Sequence, residues 1–94
     1  MPIKKLLLTS ALIATATTSA QAFADPTCTQ LDKSEWLDFD QAKQQVVDMG
    51  YKIKKFKKTK TNCYELYGYD SEGKRVEIYF NPVNLDKVKE EIDD

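Results

Sequence analysis

The first 24 residues decide how much chain is left to fold. Lys4 and Lys5 make a charged start, residues 6–13 an apolar run, and Ala22-Phe23-Ala24 a small-x-small cleavage pattern, which together read as a secretory signal. Its removal leaves 70 of the 94 residues, enough for one small domain (25–94, with 34–84 as its core and 85–94 as an acidic tail). The apolar run is short for a membrane span, and no later segment approaches the roughly 20 apolar residues that a span needs, so no anchor is expected after processing. Asp25-Pro26-Thr27 before Cys28 lacks the small and aliphatic residues of a lipoprotein site. The expected location is periplasmic or secreted.

Export places Cys28 and Cys63 in an oxidising compartment, and two cysteines permit one intramolecular pairing. A Cys28 to Cys63 disulfide is expected as a structural staple; a redox pair would use Cys-x-x-Cys spacing, which is absent. The chain has no histidine, which excludes Ser-His-Asp and Cys-His machinery and imidazole metal ligands. Two cysteines without histidine do not complete a zinc site, and there is no calcium loop, paired-carboxylate cleft or phosphate-cradling glycine loop. No enzyme activity, metal or cofactor is expected. Without Lys4 and Lys5, 12 basic residues face 15 acidic ones, which argues against nucleic-acid binding.

After a polar, extended lead-in over residues 25–35, Asp38 can cap a helix, with Gln41 three residues on as in a capping box and Leu37 stapling onto Ala42. Gly50 supplies the stop, and Phe39, Ala42, Val46 and Met49 form one apolar stripe on a helix of about 11 to 12 residues. So short a helix must dock on something. The partner is a sheet. Asp70-Ser71-Glu72-Gly73 suits a type I turn with Gly73 in the left-handed bulge position, and Asp70 opposite Lys74 fixes the pairs Tyr69/Arg75, Gly68/Val76, Tyr67/Glu77, Leu66/Ile78, Glu65/Tyr79 and Tyr64/Phe80. Alternation then gives a core face of Tyr64, Leu66, Gly68, Val76, Ile78 and Phe80 and an outer face of Cys63, Glu65, Tyr67, Tyr69, Arg75, Glu77 and Tyr79.

The preceding strand, within residues 51–60, has Phe56 one residue out of phase, which a bulge near Lys54 and Lys55 would restore. Its six lysines, at 52, 54, 55, 57, 58 and 60, read as a solvated edge that blocks edge-to-edge pairing rather than as an anion site. Asn81-Pro82-Val83-Asn84 makes a turn. Residues 85–94 fit either a short helix, through Leu85, Val88 and Ile92, or a weak edge strand, with the leaning toward helix.

The order of Cys28, Lys33-Ser34-Glu35-Trp36-Leu37, a helix ending at Gly50-Tyr51, Asn62-Cys63-Tyr64-Glu65-Leu66, the turn at 70–73, Arg75-Val76-Glu77-Ile78-Tyr79-Phe80 and Asn81-Pro82-Val83 resembles the PepSY family, in particular its small, single-domain periplasmic members. The family's usual Thr-Gly after the proline turn is Asn84-Leu85 here. The resemblance covers nearly all of residues 28–88 and implies an α+β fold, one short helix packed on a three- to four-stranded antiparallel sheet. It also implies a non-enzymatic binding module, since such modules occur in propeptides of thermolysin-type metallopeptidases, as inhibitor or chaperone, and in exported proteins near membrane sensors and redox systems. The expected partner is a protein, a peptidase or a sensor ectodomain, bound by a monomer through the tyrosine-bearing sheet face or by adding an edge strand. Tyr67, Tyr69, Arg75, Glu77 and Tyr79 on the outer face are the candidate contact residues, because tyrosine and arginine are enriched at interface hot spots. Three competing structural roles are open to them: cross-strand aromatic pairing, a Tyr69–Arg75 cation–π contact, and burial under the lead-in, with Trp36 a candidate to join that cover. Trp36 and Leu37 otherwise plug the end of the core.

Overall fold

The computed structural model describes residues 25–93; the signal-like segment up to Ala22-Phe23-Ala24, and Asp94, lie outside the described residues. A single 3-10 turn (Lys33–Glu35) precedes helix α1 (Phe39–Asp48) and strands β1 (Lys52–Lys58), β2 (Tyr64–Tyr69), β3 (Arg75–Phe80) and β4 (Lys87–Asp93). The strands form one antiparallel meander in chain order, giving an α+β fold of one short helix and a four-stranded sheet.

Helix α1 begins where Asp38 Oδ2 accepts the backbone N–H of Asp40 and of Gln41, each at 3.1 Å. It ends as Gly50, at φ 105°, turns the chain so that the Gly50 N–H donates to Val47 O (2.9 Å) and the Tyr51 N–H to Val46 O (3.4 Å). Both bonds belong to a Schellman motif. The helix is ten residues long, slightly shorter than the spacing predicts. Ala42 and Val46 are fully buried, and Phe39 packs at the core's edge. Met49, the expected fourth member of the stripe, is half exposed: it is the cap residue, beyond the last helical turn that faces the sheet.

The β2–β3 register is the one that the turn chemistry predicts, pair for pair. Asp70 Oδ1 accepts the N–H of Glu72 and of Lys74, each at 2.9 Å, and Gly73 takes φ 82°. The core face is buried as expected, joined by Leu85 and lined by Trp36, Leu37, Phe39, Tyr51, Ile53 and Phe56. Strand β1 carries its bulge between Ile53 and Lys55, which returns Phe56 to the core side opposite Leu66. Gly68 stands where β1 crosses closest, since a Cβ there would lie 2.0 Å from the Lys52 carbonyl oxygen.

The end of the chain departs from the leaning toward helix. Residues 87–93 pair with β3 as an edge strand, with a register shift between Tyr79 and Phe80. An isolated short helix there would set Glu90, Glu91 and Asp93 against the negative end of its own dipole, whereas the open edge of β3 offers a full ladder. Leu85 makes the strand possible by adopting φ 65° while its side chain stays buried.

Trp36 closes the helix-side core. Its ring meets Tyr64 edge-on at 5.8 Å, its Nε1–H donates to Leu31 O, and the Tyr64 hydroxyl donates to Leu37 O at 2.6 Å. It therefore takes no part in covering the outer face.

Candidate functional site

The strand registers set four short rows on the outer face: Lys52, Lys55 and Lys57 from β1, Glu65, Tyr67 and Tyr69 from β2, Arg75, Glu77 and Tyr79 from β3, and Lys89, Glu91 and Asp93 from β4. Among the described residues no helix covers them. The lead-in covers one half only.

That half is held by the Cys28–Cys63 disulfide, which forms as the sequence predicts, and by the Cys28 N–H donating to Thr61 O at 3.2 Å. Cys28, Cys63 and Tyr79 make a second buried cluster on the outer side of the sheet. The Tyr79 hydroxyl lies 3.0 Å from Asp25 Oδ1 and 3.0 Å from Glu77 Oε2, and its one proton serves either acceptor. Tyr79 thus lies beneath the lead-in and out of a partner's reach, the burial alternative that its position left open.

Glu65, beside it, is 2% exposed, and its Oε2 has no hydrogen-bond partner among the described residues. Its Oε1 is 3.8 Å from Lys57 Nζ. Burial raises the Glu65 pKa and the neighbouring Glu77 adds to the rise, while Glu77 is lowered, chiefly by Glu65. The tyrosines are both pushed up, Tyr67 mainly by its hydrogen bond to Glu65 and Tyr79 mainly by burial.

The other half, toward the hairpin, is open. Tyr67 and Tyr69 are half-buried and Arg75 is exposed. Lys54, Lys55, Tyr67, Gly68, Tyr69, Arg75 and Val76 line a hollow of about 460 Å³. Arg75 reaches Asp93 of β4 at 2.7 Å rather than stacking on Tyr69. Lys57 Nζ sits 5.7 Å from the centre of the Tyr67 ring, which fixes one wall between the open and covered halves.

Of the five candidate contact residues, the structure brings Tyr67, Tyr69 and Arg75 around the hollow, sets Glu77 at its border and buries Tyr79. Sequence reasoning left Lys54 and Lys55 out of the site and read them as a solvated edge. The signal was the bulge itself: an extra residue in the strand breaks alternation and lets two consecutive lysines line one hollow. Asp25 gave no signal, being 54 residues from the tyrosine that it meets.

Among the described residues no group of three or more histidine, cysteine, aspartate or glutamate side chains is placed to hold a metal ion, and no helix is long and apolar enough to cross a membrane. A family model described as peptidase propeptide and YPEB domain matches residues 8–91. The chain belongs to the PepSY family. No curated protein and no solved structure matches it. The match to this PepSY domain takes in α1 and β1 to β3 whole and β4 as far as residue 91, so the strand that the sequence left open falls within it. PepSY domains are generally non-catalytic, propeptide-type domains, typically extracellular or periplasmic.

Proposed function

We propose that this PepSY domain is an exported, non-enzymatic, monomeric protein-binding module that modulates a peptidase through the open half of its outer sheet face, around Tyr67, Tyr69 and Arg75. The observation that carries this reading is the unequal cover of one sheet face: the stapled lead-in buries Tyr79 and Glu65, while the hollow beside Tyr67 and Tyr69 stays open. Tyrosines with an apolar body and a polar tip, beside an arginine, suit contact with a protein surface. The family's description as a peptidase propeptide domain supports a peptidase as the partner class.

The test is photo-crosslinking in the exporting cell from position 67, with position 43 on the far side of α1 as control, coupled to turnover of the captured peptidase with the purified domain at stoichiometric ratio. Capture of a peptidase from position 67, and its inhibition, is the expected result. Capture of a membrane sensor with peptidase turnover unchanged would move the domain to a signalling accessory role. A position-67 yield no higher than that from position 43 would remove the face from consideration.

A further inference from the structure

The open hollow is cationic on a protein whose exported part carries more acid than base, and the cations are placed by a specific backbone device. In a regular strand, consecutive side chains point to opposite faces. The bulge between Ile53 and Lys55 breaks this rule, and both Lys54 and Lys55 line the hollow together with Arg75, over the rings of Tyr67 and Tyr69. Lys57, Lys74, Lys87 and Arg75 each have a carboxylate partner, whereas Lys54 and Lys55 have none among the described residues. Arg75 spends only part of its five-donor fork on Asp93. Three cationic groups around an aromatic floor, two of them without counter-ions, match a carboxylate that arrives on a chain able to lie across the tyrosines.

We infer that the Lys54–Lys55–Arg75 hollow is a docking site for the side-chain carboxylates of an acidic segment of the protein partner. This rests on the reading of the outer face as a protein-contact surface and adds the chemistry of what it contacts. The bulge also interrupts the ladder that an added strand would need at β1, so at that edge contact runs through side chains in the hollow. Attraction of this kind acts mainly on encounter rate and choice of partner and weakens with salt.

The probe is an acetylated, amidated octapeptide of alternating glutamate and serine, titrated into the isotopically labelled, oxidised protein and followed by backbone amide shifts. Saturable shifts at Lys54, Lys55, Tyr67, Tyr69 and Arg75 are expected, with affinity falling as salt rises from about 20 to about 200 mM. Lys54→Glu/Lys55→Glu should weaken binding by roughly tenfold or more, since reversed charges repel the incoming carboxylates. Lys43→Glu/Lys60→Glu, which changes net charge equally at exposed sites away from the hollow, should leave it within about twofold. Absence of saturable shifts, equal loss in the two double variants, or equal binding of a lysine-for-glutamate peptide would each overturn the inference. So would self-association of the protein that Lys54→Glu/Lys55→Glu abolishes, because the occupant would then be the acidic β4 edge of a second copy. If position 67 captures a peptidase while the peptide fails, the contact face stands and its acidic partner falls. If the peptide binds while position 67 captures a protein that is not a peptidase, the peptidase role falls alone.

Discussion

Replacing both cysteines, Cys28→Ala/Cys63→Ala, tests how the lead-in becomes part of the fold. The disulfide joins residues 35 apart. Closing a loop of that length removes roughly 13 cal/mol/K from the unfolded chain, or about 4 kcal/mol at 25 °C. A 70-residue domain at ordinary stability per residue has only about 4 to 10 kcal/mol in total, so the double variant should lose a large share of it. The loss should be smaller at high pH than at low pH. Without the staple the lead-in lifts from Tyr79 and Glu65, water returns to the Glu65 carboxyl, and the penalty of ionising it in the folded state shrinks. Urea unfolding followed by Trp36 fluorescence at about pH 5 and about pH 8 reads both effects, and the urea slope m should rise because the uncrosslinked unfolded chain exposes more surface. A loss below about 1 kcal/mol with m unchanged would refute loop closure as the source of stability. A loss identical at the two pH values would show that the lead-in is not what keeps Glu65 dry.

Glu65→Gln should make the domain more stable than the parent at about pH 8. The raised Glu65 pKa contributes stability that is full below its ordinary value near 4.5 and is lost as pH rises through the folded value, so the parent's stability falls on that side and the glutamine variant's does not; a parallel decline of both in thermal melts across pH would contradict it. Gly68→Ala should cost more than about 2 kcal/mol, because the new Cβ meets backbone at 2.0 Å and not a side chain that can swing away; denaturant titration measures it, and a loss under about 0.5 kcal/mol would mean that β1 shifts freely. Leu85→Gly and Leu85→Ala should both destabilise, yet glycine by about 0.5 to 1 kcal/mol less, since it alone relieves the left-handed backbone at φ 65°. Alanine as the more stable of the two would show that the backbone there carries little strain.

The hairpin was legible because two independent signals agreed: turn residues that tolerate only one loop geometry, and an alternation that then sorts every side chain to a face. The bulge in β1 was legible from one misplaced aromatic, Phe56. Strand β4 was not, because its entry depends on Leu85 in a conformation that leucine rarely adopts and at a position where the family's usual residue is glycine. Sequence reading placed the candidate residues together on the outer face, as the register has them, but could not divide that face. Whether Tyr79 is covered depends on Asp25 and Cys28 reaching it across the whole length of the domain, a contact that no local pattern encodes.

That division also sets the limits of any interface. The lead-in has no regular structure of its own before the Lys33–Glu35 turn, so only the disulfide and a few hydrogen bonds keep it on the sheet. A partner needing Tyr79 or Glu65 would have to lift a segment tied covalently at Cys28 and break the Tyr79 hydroxyl's contact with Asp25. A partner seated over Tyr67, Tyr69 and Arg75 meets no such barrier, and the Lys57 contact with both Glu65 and the Tyr67 ring marks where the one region ends and the other begins. The staple therefore does more than stabilise a small chain: it closes one half of the outer face over Tyr79 and Glu65, and on the proposed reading it leaves to a partner the hairpin half, where the bulge brings Lys54 and Lys55 to one hollow.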